Sequence, residues 1–430
     1  MVQILRQSSA NFEKEFHIFL DSKREVSQSV DDIVRDIIEN VRQYGDQALI
    51  DYSVEFDRVD LKQKGLKISE AEIDDALGAV APKTLDALKL AHDRISVYHQ
   101  KQLPHDERFV DPLGVELGWR WTAVQSVGLY VPGGTASYPS SVLMNAVPAK
   151  VAGVERIVMV VPTPDGHLNP LVLAAAKLGG VSEIYRVGGA QAVAALAYGT
   201  KTIRPVTKIV GPGNAFVAAA KRQVFGKVGI DMIAGPSEVL VIADKFNDPD
   251  WIAADLLAQA EHDSAAQSIL MTDDESFAKE VINAVQTQLK TLKRSKTAAA
   301  SWQDFGAIIL VNDLESALPL VNSIAPEHLE LAVEDPDKIS PGIRNAGAIF
   351  VGRYTPEVIG DYVGGSNHVL PTARSARFSS GLTVLDYMKR SSILKLGAEQ
   401  LRKLGPAAIE LANAEGLQAH GHSVAVRLNL

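Results

Sequence analysis

The chain has 430 residues, 46% of them hydrophobic and 22% charged, which is the composition of a globular protein with roughly two or three domains. Its 43 basic residues against 52 acidic ones give a net charge of -9, which disfavours nucleic acid or an anionic membrane as the main partner. The absence of cysteine excludes disulfides, thiolate metal ligands and a cysteine nucleophile. No apolar run is long enough for a membrane span and the start is unlike a secretory signal, so we expect a cytoplasmic protein.

Roughly the first hundred residues predict mostly helices. In the stretch SVDDIVRDIIENVRQYGDQALIDY, one face is formed at helical spacing by Ile33, Ile37, Ile38 and Val41. This face predicts packing against a core, and we assign the region no chemistry.

From about residue 125, short β-rich runs end in small residues and are followed by alanine-rich helical stretches. The first series consists of SVGLYVPGG, RIVMVVPTP, EIYRVGGAQAVAALAYG and KIVGPGNAFVAAAKRQV. A second series contains the strand-like EVLVIAD, SILMTDD and GAIILVND with helical stretches between them. This repetition predicts parallel βαβ units, arranged as two consecutive α/β sheets. After Gly381 the pattern is helical again, and the alternating HSVAVRLNL predicts a strand-like tail.

Three glycine turns follow predicted strands of the first series. The turn GPGN at residues 211–214 stands between a strand and a helix, where backbone N–H groups can face a pyrophosphate. It lacks the full dinucleotide fingerprint, because Phe216 stands where a further glycine is required. The VPGG and VGGAQ turns place Tyr130 and Gln191 near the same carboxyl edge. Together the turns favour a ligand crevice, while each alone is compatible with an ordinary tight turn.

The stretch LLAQAEHD sets Gln259 and His262 three residues apart, on one face of a helix. Histidine binds metals through a ring nitrogen, whereas glutamine is an uncommon ligand for transition metals. A metal site and a solvated Glu-His pair at a helix end both remain open.

Two further histidine-containing stretches allow a metal site. GDYVGGSNH contains Asp361 and His368, and EGLQAHGHS contains Glu415, His420 and His422. Histidines two apart on an extended segment point to one side and suit a metal, but a surface position explains them equally well.

In APEHLE, Pro326 suits the first turn of a helix, which would place Glu327 and His328 at its N-terminal end. The helix dipole there favours a charged carboxylate and a neutral imidazole, which together form a proton-accepting pair. A simple helix cap is the alternative interpretation.

The motifs also resemble, in their order and spacing through essentially the whole chain, the histidinol dehydrogenase family. The stretches that carry this resemblance are GPGNAFVAAAK, DMIAGPSEVLVIAD, DLLAQAEHD, APEHLEL, GDYVGGSNHVLPT, FSSGLTVLDYMKR and EGLQAHGHSVAVR. It implies an α/β fold of two Rossmann-like, incompletely doubly wound domains with small N-terminal and C-terminal helical extensions. The implied borders are a helical arm at 1–25, a zinc and substrate domain at 26–129 with 239–381, an NAD-side domain at 130–238, and a dimerisation tail at 382–430.

The resemblance further implies four-electron oxidation of L-histidinol to L-histidine through the aldehyde, with NAD as oxidant and one zinc ion per site. Glu327 and His328 would be catalytic, and Tyr130, Gln191 and Asn214 would bind NAD. The implied zinc ligands are Gln259, His262, Asp361 and His420. The implied substrate-binding residues are Ser237, Gln259, His262, His328, Asp361, Glu415 and His420.

The family pattern is a homodimer whose C-terminal segment reaches into the partner, so Glu415 and His420 are expected to complete the neighbouring subunit's site. No nucleic-acid or membrane partner is expected. A metal-dependent hydrolase without nicotinamide is the main alternative, and a non-catalytic nucleotide-binding or scaffold protein is a third possibility.

The lack of cysteine bears on the aldehyde step. Without a thiohemiacetal the aldehyde must be attacked by water, which requires a nearby base. We expect Glu327 to be that base and His328 to take the hydroxyl proton during each hydride transfer. A helix start is expected to keep Glu327 charged and His328 neutral.

Overall fold

The computed structural model describes residues 2–21, 28–133, 138–233 and 235–430. The chain forms two compact units, one of Met1–Gln102 with Gln125–Tyr387 and one of Leu103–Val124 with Met388–Leu430. Within the described ranges, no helix has the length and apolar character needed to cross a membrane.

The N-terminal part is mostly helical, as predicted. Its elements are β1 (Gln3–Arg6), α1 (Phe12–Asp21), α2 (Gln28–Tyr44), α3 (Asp46–Asp57), α4 (Leu61–Lys64), α5 (Glu70–Ala79), α6 (Pro82–Gln100), β2 (Glu107–Val110) and β3 (Glu116–Ala123). On α2 the buried face contains Ile37, Ile38 and Val41 as expected, but also Val34 in place of the exposed Ile33. These buried residues share a core with the first sheet described below.

The first α/β series folds as predicted into a parallel sheet. Its elements are β4 (Ser126–Tyr130), α7 (Pro139–Val151), β5 (Arg156–Val160), α8 (Pro170–Leu178), β6 (Glu183–Tyr185), α9 (Gly189–Tyr198), β7 (Lys208–Val210), α10 (Ala215–Val224) and β8 (Gly229–Ile230). The strand order is β6-β5-β4-β7-β8, and all pairs are parallel. The chain proceeds outward from β4 on one side and then returns to β7 on the other. A topological switch point therefore lies between the carboxyl ends of β4 and β7, where open α/β sheets bind ligands.

The second series forms a six-stranded parallel sheet. Its elements are β9 (Glu238–Ala243), α11 (Pro249–Ala260), β10 (Gln267–Thr272), α12 (Glu275–Gln288), α13 (Ser295–Asp304), β11 (Ala307–Leu310), α14 (Leu318–Ile324), β12 (His328–Ala332), α15 (Pro336–Ile339), β13 (Ala348–Val351) and α16 (Glu357–Tyr362). The order is β1-β11-β10-β9-β12-β13, so the N-terminal strand completes one edge. Every residue of β9, β10 and β12 is buried, as in parallel sheets covered on both faces. These sheets confirm the predicted α/β class.

The second unit was only partly predicted. Its C-terminal elements are β14 (Met388–Lys395), α17 (Ala398–Ala414) and α18 (Gln418–Leu428). Strand β14 joins β2 and β3 in an antiparallel sheet of order β14-β3-β2, which the sequence interpretation did not anticipate. The prediction of a strand-like tail is wrong, because α18 is a helix that packs on α17. A side-chain carbon on Gly405 of α17 would lie 2.6 Å from Leu428 and 3.0 Å from Val424, which are four residues apart on one helical face.

Candidate active site

Glu327 and His328 lie at the amino end of the six-stranded sheet, and no helix begins there. Helix α14 ends at Ile324, and its C-cap residue Ala325 has a left-handed φ of 48° and donates its N–H to the carbonyl of Val321 at 2.8 Å. After Pro326 the chain extends into β12, and the carbonyls of Pro326 and Glu327 each accept an N–H from the approach to β13 at 2.9 Å. The predicted helix start is therefore wrong, because Pro326 leads into a buried parallel strand.

The backbone of Glu238, at the start of β9, anchors both side chains. Oε2 of Glu327 accepts the N–H of Glu238 at 2.9 Å, and Nδ1 of His328 lies 3.1 Å from the carbonyl oxygen of the same residue. Because a carbonyl only accepts, Nδ1 of His328 carries the proton and Nε2 is left as the basic nitrogen. Among the described residues, none forms a hydrogen bond with this buried Nε2 atom. Glu327 and His328 are 5% and 4% exposed, so their pKa values depend on the neighbouring protein groups more than on water.

Three carboxylates surround the imidazole of His328. Nδ1 lies 3.8 Å from Oε2 of Glu327 and 3.7 Å from Oε2 of Glu357, and Nε2 lies 3.7 Å from Oδ1 of Asp361. Burial by itself opposes a charged imidazole, but these carboxylates outweigh it and raise the pKa of His328 well above its usual value. The arrangement stabilises the imidazolium that forms when Nε2 takes a proton.

Burial raises the pKa of a carboxyl group, whereas the predicted helix dipole would lower it. Burial raises the pKa of Glu327 to about 7 and the pKa of Glu357 to about 8, although the charge of His328 opposes both shifts. The predicted cause, a helix dipole that keeps Glu327 charged and His328 neutral, is therefore wrong, because no helix begins here and burial together with the neighbouring charges sets these pKa values. The sequence analysis did not identify Glu357 as a site residue. It stands four residues before Asp361, and this spacing places two side chains on one helical face.

Gln259, His262 and Asp361 supply candidate metal ligands in the same unit. Gln259 is fully buried in the last turn of α11, and its Oε1 atom has no hydrogen-bond partner among the described residues. His262 lies just beyond that helix end and is exposed, with Nδ1 3.5 Å from Nε2 of Gln259. The side chains of Gln259 and His262 therefore lie next to each other, as predicted.

Asp361 lies on α16, and its surroundings favour the ionised carboxylate. Burial alone would raise the pKa of Asp361, but the nearby His328 and His368 outweigh it and lower that pKa. His368 also holds the Asp361 segment, because its Nδ1 lies 2.9 Å from the Asp361 carbonyl and its Nε2 lies 3.2 Å from Oγ of Ser141.

An orphaned amide oxygen, an imidazole and an ionised carboxylate form an N and O donor set compatible with zinc. The described part of the chain contains no group of three or more His, Asp or Glu side chains arranged to hold a metal ion. The fit therefore rests on the donor chemistry and on the unpaired Gln259 oxygen.

The remaining predicted metal-ligand and substrate-binding residues are Ser237 in the first unit and Glu415 and His420 in the second. Ser237 is half-buried immediately before β9, where its carbonyl accepts an N–H from Gln267 at 3.0 Å. Glu415 follows α17 and His420 lies on α18, and both are exposed in the second unit. Because α18 is helical, His420 and His422 do not share one side as they would on the extended segment predicted from the sequence.

At the carboxyl edge of the five-stranded sheet, Tyr130 contacts the glycine turns that follow β6 and β7, whereas Gly134 of the VPGG turn lies outside the described residues. The hydroxyl of Tyr130, at the end of β4, accepts the N–H of Gly189 at 3.0 Å, and Gln191 is buried in the first turn of the same helix α9. A Cβ atom on Gly211, whose φ is 111°, would lie 2.2 Å from the carbonyl oxygen of Tyr130. Only glycine permits this close approach.

Asn214 completes this edge as the N-cap of α10. Its Oδ1 atom accepts the N–H groups of Phe216 and Val217, both at 3.1 Å. The side chain is exposed, and its NH₂ group is the part that can donate to a ligand. We refer to Tyr130, Gln191 and the 211–214 turn as the switch-point crevice.

The fold and these two sites define an α/β enzyme with a buried acid–histidine pair and glycine-containing turns at a topological switch point. Residues 20–428 match the histidinol dehydrogenase family. The histidinol dehydrogenase of Brucella suis biovar 1 (strain 1330) is 72% identical over 430 residues, with both chains covered completely. That of Rhizobium meliloti (strain 1021) is 70% identical, covering 99% of this chain and 98% of the relative.

A structural comparison agrees with the sequence comparisons. The crystal structure of histidinol dehydrogenase from Elizabethkingia anophelis has a TM-score of 0.95 and 35% sequence identity, and the match covers 100% of this chain and 98% of that one. The chain belongs to the histidinol dehydrogenase family and is an oxidoreductase.

Proposed function

We propose that the protein oxidises L-histidinol to L-histidine through the aldehyde, as the last oxidative steps of histidine biosynthesis. The observation that carries this proposal is the acid–histidine pair at Glu327 and His328, in which one basic nitrogen is left free beside a buried carboxyl group. One turnover consumes the alcohol, two NAD⁺ and one water, and it releases the carboxylate, two NADH and three protons. NAD⁺, when bound, accepts one hydride in each oxidation.

His328 is the base for the hydroxyl group in each oxidation. Its Nε2 takes the proton as the carbon loses a hydride, while Nδ1–H remains bonded to the Glu238 carbonyl. The surrounding carboxylates stabilise the resulting positive charge without having to move. The ring therefore has a fixed tautomer and a fixed direction.

Glu327 is the base for the water that attacks the aldehyde. No cysteine is available to form a covalent adduct, so the hydrated aldehyde must arise by addition of water. One oxygen of Glu327 is held by the Glu238 N–H, and the other can receive a proton from that water. A pKa of about 7 lies near the operating pH that suits a general base.

Gln259, His262 and Asp361 would hold the zinc ion together with His420. A zinc ion there would accept the nitrogen donors of histidinol and orient the substrate. Ser237 and Glu415 would bind the substrate beside the proposed ligands. The proposal includes a homodimer in which the C-terminal segment of one subunit completes the site of the other, and the exposed His420 and Glu415 are accessible to such a partner.

The switch-point crevice would bind NAD. Tyr130, Gln191 and Asn214 stand at the carboxyl ends of strands or at helix starts beside the point where the strand order reverses. This is where open α/β sheets bind dinucleotides. Family membership disfavours the alternative of a metal-dependent hydrolase without nicotinamide.

The test of the metal-dependent function is NADH formation from L-histidinol before and after zinc removal. Chelator-treated protein should lose activity and regain it with added zinc. Asp361→Asn should retain the fold but bind zinc about tenfold or more weakly, because it loses a charged ligand. Zinc content after dialysis against graded chelator measures this independently of activity.

Glu261→Gln is the matched control, because it removes one carboxylate charge next to His262 without removing a proposed ligand. It should bind zinc as the wild type does. Equal zinc retention by Asp361→Asn and the wild type would contradict the proposed ligand set.

A further inference from the structure

A buried ion pair stands directly behind the turn at residues 211–214. Lys221, on α10, and Asp231, just after β8, form an ion pair in which both side chains are almost completely buried, at 3% and 1% exposure. The Nζ atom of Lys221 donates to the carbonyl of Gly211 at 2.9 Å. Oδ2 of Asp231 accepts the N–H of the same Gly211 at 2.8 Å. One glycine thus has both of its peptide groups held by opposite charges.

Stability alone is a weak explanation for such a pair. Removing two charges from water costs free energy that their attraction only partly returns, and well-packed apolar residues often stabilise a protein equally well. A buried ion pair can instead specify one conformation among several. Here the two charges are directed at the two peptide groups that flank one residue, so the conformation they specify is that of Gly211.

The pair therefore determines how the turn leaves β7. Gly211 has a φ of 111° and packs against the carbonyl of Tyr130. At the other end of the turn, the cap of Asn214 fixes the start of α10. Lys221 lies seven residues further along this helix and reaches back to Gly211. The turn is consequently held at both ends, and its Gly211 end lies against the end of β4.

We propose that Lys221 and Asp231 are positioning residues for the nicotinamide dinucleotide, because they hold the 211–214 turn in the conformation that receives it. This inference rests on the proposed use of NAD at the switch-point crevice. The two side chains are buried behind the turn and contact its backbone, so they act on the dinucleotide through Gly211. Loss of the pair should weaken dinucleotide binding while leaving the acid–histidine site on the other sheet intact.

The test compares Lys221→Met with the wild type in the full-length, zinc-loaded protein. We expect the Kd for NAD⁺, measured by calorimetry, and the KM for NAD⁺ to rise about tenfold or more, the equivalent of one lost charge-assisted contact. The KM for L-histidinol and the kcat at saturating NAD⁺ should stay within about threefold of the wild type. A merely structural loss would lower the amount of folded enzyme and would not change the KM for one substrate selectively.

Arg156→Met is the matched control on the same sheet. Arg156 pairs with Glu183 at 2.8 Å, and their side chains are 16% and 13% exposed. It lies at the amino end of β5, the edge opposite the crevice. This variant should lower the melting temperature without changing the KM for NAD⁺. If Lys221→Met does not fold, Lys221→Met/Asp231→Asn, which leaves no buried unpaired charge, carries the same expectation.

The possible outcomes separate this inference from the proposed function. Unchanged NAD⁺ affinity in the Lys221 variants, with normal binding by the wild type, would overturn the positioning role alone. A parallel rise of KM for NAD⁺ in Arg156→Met would also overturn it, since any destabilisation would then suffice. A wild-type protein that neither binds nor reduces NAD⁺ would overturn the proposed function and this inference together.

Discussion

His328→Asn is expected to lower kcat for both oxidations by about a thousandfold, within the range that a lost general base produces. The amide NH₂ of asparagine can replace Nδ1–H as donor to the Glu238 carbonyl, but nothing replaces the basic Nε2 atom. Alcohol and aldehyde should be affected alike, because both hydride transfers release a hydroxyl proton. Rapid-quench measurement of each step, with L-histidinol or the aldehyde supplied separately, gives the two rates.

The His328→Asn result requires a check that the site is otherwise intact. L-Histidinol binding and the melting temperature should remain close to those of the wild type. An alcohol step that stays within about threefold of the wild-type rate would rule out His328 as the base for that step.

Glu327→Gln is expected to separate the two oxidations. The amide oxygen of glutamine can still accept the Glu238 N–H, but the side chain can no longer take a proton from water. The aldehyde step should fall about a hundredfold or more, while the alcohol step should change by only a few fold. The product after one turnover should therefore shift from histidine to accumulated aldehyde, which trapping with a hydrazine reagent measures.

The pH dependence provides an internal control for Glu327. A carboxyl group with a pKa of about 7 is a base only when deprotonated, so the wild-type aldehyde step should rise as the pH passes upward through that value. The residual activity of Glu327→Gln should lack this rise. Equal losses in the alcohol and aldehyde steps would refute the proposed division of labour between Glu327 and His328.

Local patterns predicted the α/β rhythm well because the central parallel strands β4, β9, β10 and β12 are buried along their whole length, and several strands are followed by small-residue turns. The glycine at residue 211 is an example, since its close approach to Tyr130 demands that residue type. The prediction of a strand at the C-terminal tail was wrong because the structure there involves a contact that is distant in sequence. Val424, Val426, Leu428 and Leu430 alternate as in a strand, yet most of the segment is helical, and Val424 and Leu428 both lie against Gly405 of α17. That contact depends on a second helix and is invisible in a single stretch.

The local structure around the candidate site was predicted only in part. Pro326 is compatible with a helix start, but the left-handed Ala325 and the pairing of β12 between β9 and β13 override that preference. Glu357 reaches His328 only because α16 and β12 pack together, so no pattern around APEHLE indicates it. The predicted domain borders and the roles of Ser237, Glu415 and His420 stay predictions.

The central claim is that one site performs both oxidations, and the yield of NADH per L-histidinol consumed tests it most directly. Absorbance measures NADH, and chromatography measures the remaining histidinol and the histidine formed. We expect two NADH and one histidine for each histidinol, with no free aldehyde at the end. One NADH per histidinol with release of aldehyde, or no NADH from the zinc-loaded protein, would contradict it.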